Sequence, residues 1–489
     1  MEQQSMSESG GHPLEALFYP QSVAVVGASP NRRGRANQWI QAFVSLGYQG
    51  KIFPVHPKAD TIFGYKAYPS VRDIPGPVDL VIFAVPFSVV IQVMQDCVAK
   101  KVKYVHLFTA GFSETGQAEN AHLEAELKQI AESGGVRLIG PNCMGVYSSE
   151  SGVAWGDEFP STPGPIGFVS QSGQLASHFV WEGGSEGLRF SKVVSFGNAS
   201  DLQCHDFLDY LMQDDKTKFV GSYVEGLKNG RAFFEIARRL TLKKPFFVWK
   251  GGQTEGGSRA TQSHTASIAG SQKIWRAMCD QTGIISVNSM EETISTAAAL
   301  CFLPLPRGTN VAVVGGAGGG SVTMTDVAEK EGLKVPHLSA ETQKQLAEFI
   351  PISGNSIRNP LDIGFSQVYE NEEQFLHLFE LLEADPVIDA VIFSRGNRPG
   401  SRGRQRMVTL LDLLSKALKV INKPVYIVFE GGRSLELEAL KEEAQARMHN
   451  LGLATFPTFQ MAARVVSNLS RYQAFLQARQ AAGPGGPSS

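Results

Sequence analysis

The sequence predicts an α/β protein built from doubly wound parallel sheets, and three observations predict it. Short, continuously apolar, β-branched runs recur along the 489 residues and read as parallel strands buried on both faces. Segments with helical periodicity lie between them. The fifty glycines cluster after the apolar runs, where loops approach ligands closely. Sheets of this kind bind their ligands outside the carboxyl ends of the strands.

In the first domain, assigned to 12–150, the strand pattern falls at 22–26, 51–55, 79–85, 104–108 and 136–139, with helices near 35–46, 87–99 and 120–133. The strand ends are Gly27-Ala28-Ser29, His56-Pro57-Lys58, Val85-Pro86-Phe87 and Ala110-Gly111-Phe112. Gly27 and Gly34 make only a fragment of the dinucleotide fingerprint. No acidic residue follows the second strand to take a ribose diol. Lys58 stands there instead, either as a solvated surface lysine or as a partner for a phosphorylated ribose or pyrophosphate, so a nucleotide other than NAD is expected.

The middle domain is assigned to 151–303, with Pro163-Gly164-Pro165 marking a boundary. The strand 166–169 runs into Ser170-Gln171-Ser172-Gly173 and a helix. This junction is either a plain serine cap or a phosphate site. Two later strands, 219–224 and 245–250, deliver Glu225-Gly226 and the stretch from Lys250 to Gly270 at one edge of the sheet. The second of these reads as a glycine-rich loop turning into a helix over 265–281, which puts Ser263 and His264 at the helix N-terminus. Free N–H groups and the positive dipole end would hold an anion there, and an imidazole could attack a phosphoryl group. The alternative is an ordinary loop histidine. Glu225 is either a surface cap of the next helix or a carboxylate that orients the imidazole and stabilises its positive charge.

After 304 the pattern restarts. The strand 310–314 leads into Gly315-Gly316-Ala317-Gly318-Gly319-Gly320, and further strands fall at 390–393 and 424–429. This third domain, 304–476, repeats the architecture of the middle one, without a histidine in the place of His264. The Gly/Pro/Ser-rich tail, 477–489, is expected to be disordered.

Composition bounds the function. A hydrophobic content of 43% and a charged content of 19% describe a globular protein, and a net charge of −2 offers nothing to a nucleic acid or a membrane surface. No apolar run has the length of a membrane span, and residues 1–11 lack a signal-peptide pattern. Five scattered cysteines have no metal spacing and point to a reduced, cytoplasmic protein.

Six motifs in combination resemble the α subunit of the NDP-forming acyl-CoA synthetases, the superfamily of succinyl-CoA synthetase. They are Val25-Val26-Gly27-Ala28-Ser29, Gly140-Pro141-Asn142-Cys143, Ser170-Gln171-Ser172-Gly173, Gly197-Asn198 with Asp201, Tyr223-Val224-Glu225-Gly226, and Ser263-His264-Thr265 ending in Ala269-Gly270. The resemblance covers 20–476, and the third domain, with Asn359-Pro360-Leu361-Asp362, is similar to the ADP-forming acetyl-CoA synthetase type. It implies a Rossmann-like CoA-binding domain followed by two flavodoxin-like, succinyl-CoA synthetase-like domains. It also implies CoA at Gly27, Ala28, Ser29, Lys58, Val85, Pro86, Ala110 and Gly111. The phosphate and the acyl group fall at Asn142, Ser170, Ser172, Gly173, Asn198 and Ser263. His264 is implied to be the phosphorylated histidine, with Glu225 as its partner. ATP or ADP and Mg2+ would sit on a separate ATP-grasp β subunit in a heterotetramer, and the substrate would be a small carboxylic acid. The sequence departs from the family at Ala266, where glycine is usual, at His56, where asparagine is usual, and in the third-domain glycine loop. Two rivals are a non-catalytic CoA sensor or scaffold of the same fold and an NAD-dependent oxidoreductase.

Overall fold

A computed structural model describes residues 11–31, 33–265, 272–316, 318–364, 367–396, 400–430 and 434–482; for 260, 262–265 and 482 it describes the backbone alone. The chain forms two compact units, Met1–Gly184 with Arg189–Ile284, and Ser185–Leu188 with Ile285–Ser489. The first two expected domains share one unit. The helix Met290–Phe302, placed in the middle domain by sequence, clusters with the second unit.

The first sheet of the larger unit holds β1 (Ser22–Val26), β2 (Lys51–Val55), β3 (Leu80–Phe83), β4 (Tyr104–Leu107) and β5 (Arg137–Ile139), all parallel, in the order β2-β1-β3-β4-β5. Its strands bury Val81, Phe83, Val105 and Leu107 against Met94 and Leu127 of the flanking helices α2 (Val90–Lys100) and α3 (Ala118–Ser133). Strand order reverses at β1, so a crevice opens beyond the ends of β1 and β3. Gly27 turns the chain out of β1 at φ 96°, and a Cβ there would collide with the Ala84 carbonyl oxygen. Only glycine allows that approach.

The part of the second sheet within this unit contains β6 (Gly145–Ser148), β7 (Ile166–Ser170), β8 (Phe190–Ser195), β9 (Phe219–Val224) and β10 (Phe246–Lys250), in the order β10-β9-β7-β8-β6. These strands are parallel except β6, which pairs antiparallel with β8. The chain therefore changes sheet between Ile139 and Gly145, upstream of the expected boundary at 150. Strand β6 has four residues and no alternation that would separate it from the strand before it. The change of sheet passes through Gly140-Pro141-Asn142-Cys143, so a site motif is also the link between the two sheets.

In the smaller unit β11 (Val311–Gly315), β12 (Ala390–Gly396), β13 (Val425–Glu430) and β14 (Thr455–Phe456) form a parallel sheet in chain order. Phe375, Phe379, Phe393, Leu410 and Ile427 lie in its core. The last helix, Phe459–Ala482, continues past 476, so 477–482 are helical where a disordered tail was expected. Gln477-Ala478-Arg479-Gln480-Ala481-Ala482 are all good helix formers. Residues 483–489 and Ala317 lie outside the described residues. Among the described residues no helix is long and apolar enough to cross a membrane.

Candidate active site

At the end of β7 the chain turns through Ser170 to Ser172 into the helix α4 (Gly173–Ser185). The Ser170 hydroxyl is buried and donates to the Ser172 carbonyl at 2.7 Å, so it shapes the turn and does not face a ligand. Ser172 Oγ accepts from Leu175 N at 3.3 Å, the ordinary work of a cap. A Cβ on Gly173 would lie 2.6 Å from Met144 Cγ, so glycine lets the helix start pack against the link between the sheets.

Asn142 sits in that link at φ 57°. Its neighbours Gly140 and Pro141 accept from Ser200 N and Asn198 N, each at 3.0 Å. Met144 N donates to Ser195 Oγ at 3.0 Å. The fold thus brings Asn142, Ser172, Gly173 and Asn198 to the same edge of the second sheet.

Glu225 follows β9 and is buried, 8% exposed. The Tyr223 hydroxyl donates to its Oε1 at 3.2 Å. Its Oε2 is buried with no hydrogen-bond donor among the described residues. Such an oxygen costs about 1–3 kcal/mol if nothing meets it. Gln171 Oε1 accepts from Glu225 N at 2.8 Å and Gly226 N at 3.1 Å, fixing the backbone. The buried Lys250 ammonium, at the end of β10, donates to the carbonyls of Glu225 (2.6 Å) and Gly251 (2.5 Å). Burial pulls its pKa down, and the Glu225 charge opposes that. Sequence reasoning assigned neither Gln171 nor Lys250 a role. Gln171 stood inside a quoted motif, but only the cross-strand geometry shows what its amide meets.

His264 is placed differently from the expectation. The segment read as a glycine-rich loop is the helix α7 (Glu255–Thr265), so His264 lies about ten residues into a helix and not at a helix N-terminus. Thr254 starts this helix: its Oγ1 accepts from Gly257 N at 3.1 Å and its carbonyl from Ser258 N at 2.7 Å. Two of the four glycines that suggested a loop, Gly256 and Gly257, sit in the first turn. The side chains of Ser263 and His264, and all of Ala266, lie outside the described residues. The backbone of α7 runs beside the Ser113–Thr115 turn that follows β4. Gly226 and Leu227 border two cavities. One is small and polar, with Gln171, Asn198 and Lys228 in its wall. The other is an apolar groove of about 600 Å³ with Phe234 and Trp275.

At the first sheet, Gly27, Ser29, Val85, Pro86, Ala110 and Gly111 are exposed or part-exposed around the crevice. Ala28 is fully buried, so only its backbone can meet a ligand. Asn37, also fully buried, holds the loop: its Oδ1 accepts from Ser29 N at 2.9 Å and its Nδ2 donates to the carbonyls of Ser29 (2.9 Å) and Asn31 (2.7 Å). It begins the helix α1 (Asn37–Ser45), where periodicity gave no hint of a polar anchor. His56 Nδ1 accepts from Lys58 N at 3.1 Å and Ala59 N at 3.0 Å. This is how an asparagine side chain closes such a turn, and it explains why histidine can replace asparagine there. Lys58 is exposed. Among the described residues no group of three or more His, Cys, Asp or Glu could hold a metal ion.

The site thus comprises a nucleotide-type crevice on one parallel sheet, joined to a second sheet whose edge gathers small polar loops around a buried carboxylate. Residues 21–149 match the CoA binding domain family, and 163–300 match the succinyl-CoA ligase like flavodoxin domain. The chain is 36% identical over 455 residues to the α subunit of acetate–CoA ligase (ADP-forming) II of Pyrococcus furiosus, covering 91% of this chain and 94% of that one. It is 35% identical to acetate–CoA ligase (ADP-forming) II of Archaeoglobus fulgidus, covering 86% of this chain and 62% of that one. The structure is similar to the dinucleotide forming acetyl-coenzyme A synthetase 1 of Candidatus Korarchaeum cryptofilum, solved with phosphate and ADP, at a TM-score of 0.82 and 32% identity over 95% of this chain and 98% of that one. The chain belongs to the family of α subunits of ADP-forming acyl-CoA synthetases.

Proposed function

We propose that His264 of this subunit carries the phosphoryl group in acid + CoA + ATP ⇌ acyl-CoA + ADP + phosphate, and that Glu225 is its partner. The observation that carries this reading is the buried Glu225 Oε2, which has no donor among the described residues and lies one strand away from the segment bearing His264. An imidazole N–H would satisfy it, fix the tautomer and stabilise the ring once the other nitrogen is phosphorylated. In sequence, the ring nitrogen attacks the γ-phosphorus of ATP and ADP leaves. A carboxylate oxygen of the acid then takes the phosphoryl group and frees the imidazole. The CoA sulfur attacks the acyl carbon, phosphate leaves, and the thiol proton passes to solvent. The N–H groups at the start of α4 would face the phosphate, with Asn142, Ser172, Gly173, Asn198 and Ser263 around the acyl phosphate. Gly27, Ser29, Lys58, Val85, Pro86, Ala110, Gly111 and the backbone of Ala28 would hold CoA.

A second subunit completes the enzyme. The Pyrococcus relative is named as an α subunit, and the Archaeoglobus relative extends well beyond the part this chain matches. We place an ATP-grasp domain with ATP and Mg2+ on that β subunit, in a heterotetramer, and take a small carboxylic acid as substrate. Among the described residues the five cysteines form no disulfide, which fits a reducing cytoplasm.

Calorimetry on the isolated chain tests the CoA site: CoA should bind and NAD should not, and tighter binding of NAD would reject it. The isolated chain should also make no acyl-CoA from acid, CoA and ATP until the β subunit is added. His56→Asn should leave the CoA affinity within about twofold, because the amide oxygen can replace Nδ1. His56→Ala removes the acceptor for two backbone N–H groups and should weaken CoA by about 1 kcal/mol, roughly fivefold. Equal affinity for the alanine variant would show that this turn does not shape the site.

A further inference from the structure

We propose that Glu124 is a positioning residue for acyl transfer to CoA, setting the acid site in register with the CoA-binding domain. The proposal rests on the reading above. Glu124 lies on α3, a helix of the CoA-binding domain, and is only 6% exposed. Its Oε2 accepts from Ser113 N (3.0 Å) and Ser113 Oγ (2.6 Å) in its own domain, and from Asn198 Nδ2 (3.1 Å) in the next. Its Oε1 accepts from the Ser200 hydroxyl. One carboxylate therefore ties the turn after β4 to the loop after β8.

The neighbouring Glu114 does the same from the other side. It accepts from Gly111 N at 2.6 Å and Phe112 N at 3.1 Å, and its Oε2 accepts from Asn198 Nδ2 at 2.6 Å. Two carboxylates thus converge on one amide nitrogen. A carboxylate oxygen cannot donate, so Asn198 can sit only with its nitrogen toward them and its oxygen turned away. The side chain at the wall of the polar cavity is held in one orientation by the CoA-binding domain.

Energetics favour a role in register over one in bulk stability. A buried carboxylate is costly even when its lone pairs are filled by neutral donors, and an apolar seam would hold two domains at lower cost. Here the charged seam joins three functional parts. Gly111 stands at the CoA crevice, Asn198 at the acid site, and the Ser113–Thr115 turn lies beside α7, which carries His264. A shift of about 1 Å between reacting groups is enough to cost on the order of a hundredfold in rate.

The test uses Glu124→Gln in the assembled enzyme with its β subunit, and three readouts. CoA affinity by calorimetry and phosphate labelling of the chain by labelled ATP should each stay within twofold of the parent. Transfer from acetyl phosphate to CoA, which forms the thioester and releases phosphate, should fall at least tenfold in kcat. Glu124→Asp keeps the charge but is one methylene shorter, and should recover part of that loss. Should Glu124→Gln fail to fold, Ser200→Ala removes one donor and should give the same split at severalfold. Unchanged transfer, or an equal fall in all three readouts, would overturn the proposal. A parent enzyme that takes no label would count against the phosphohistidine, while the acetyl phosphate readout still judges Glu124.

Discussion

Replacing His264 with alanine should abolish both phosphate labelling of the chain and net acyl-CoA formation, each by more than about a thousandfold. The parent, incubated with its β subunit and labelled ATP, should take up an acid-labile, base-stable phosphate on that residue. Imidazole is a neutral nucleophile near pH 7, since its ordinary pKa is about 6.5. The other candidates on the same segment, Ser258, Thr261, Ser263 and Thr265, are hydroxyls that would need a base to activate them. Retaining CoA binding in the variant would show that the loss is chemical. Full labelling of His264→Ala would remove the central element of the proposed mechanism.

Glu225→Gln should be folded and slow, with labelling reduced roughly 10- to 150-fold. That range corresponds to about 1.5–3 kcal/mol for one charge-assisted hydrogen bond. The amide oxygen can still accept from the Tyr223 hydroxyl, and the Gln171 contacts are to backbone N–H groups, so the local frame should persist. What disappears is the negative charge. Without it the imidazolium has no counter-charge at this position, and the Glu225 charge no longer opposes the lowering of the Lys250 pKa by burial. A variant that labels as fast as the parent, beside an inactive His264→Ala, would mean that another acceptor orients the ring.

Several features that matter to the site depend on partners far apart in the chain. Glu225 and Lys250 could be placed on one sheet edge because apolar runs and their terminal residues are local signals. That Lys250 donates to the Glu225 carbonyl, and that Gln171 receives two N–H groups from across the sheet, depends on strands 25 to 55 positions apart. The Thr254 cap was legible in principle. Its Thr-Glu-Gly-Gly start was outweighed by glycine count, which reads as loop when tertiary packing is unknown. For His56 the departure from asparagine was visible and its reason was not, since an imidazole nitrogen replaces an amide oxygen only in one ring orientation.

By itself the sequence determined the α/β class, the positions of the main parallel strands along the chain, the restart of the pattern in the third domain and the motifs that mark the family. Those follow from apolar runs, helical period and glycine placement, each confined to a few neighbouring residues. Only the tertiary structure decided where the chain changes sheet, which helices join which unit, that the segment before His264 is helical, and that Glu114 and Glu124 grip Asn198 across a domain seam. These are outcomes of pairing between distant segments, selected by the burial of whole faces and the satisfaction of buried polar groups, and no local pattern encodes which distant partner satisfies which group.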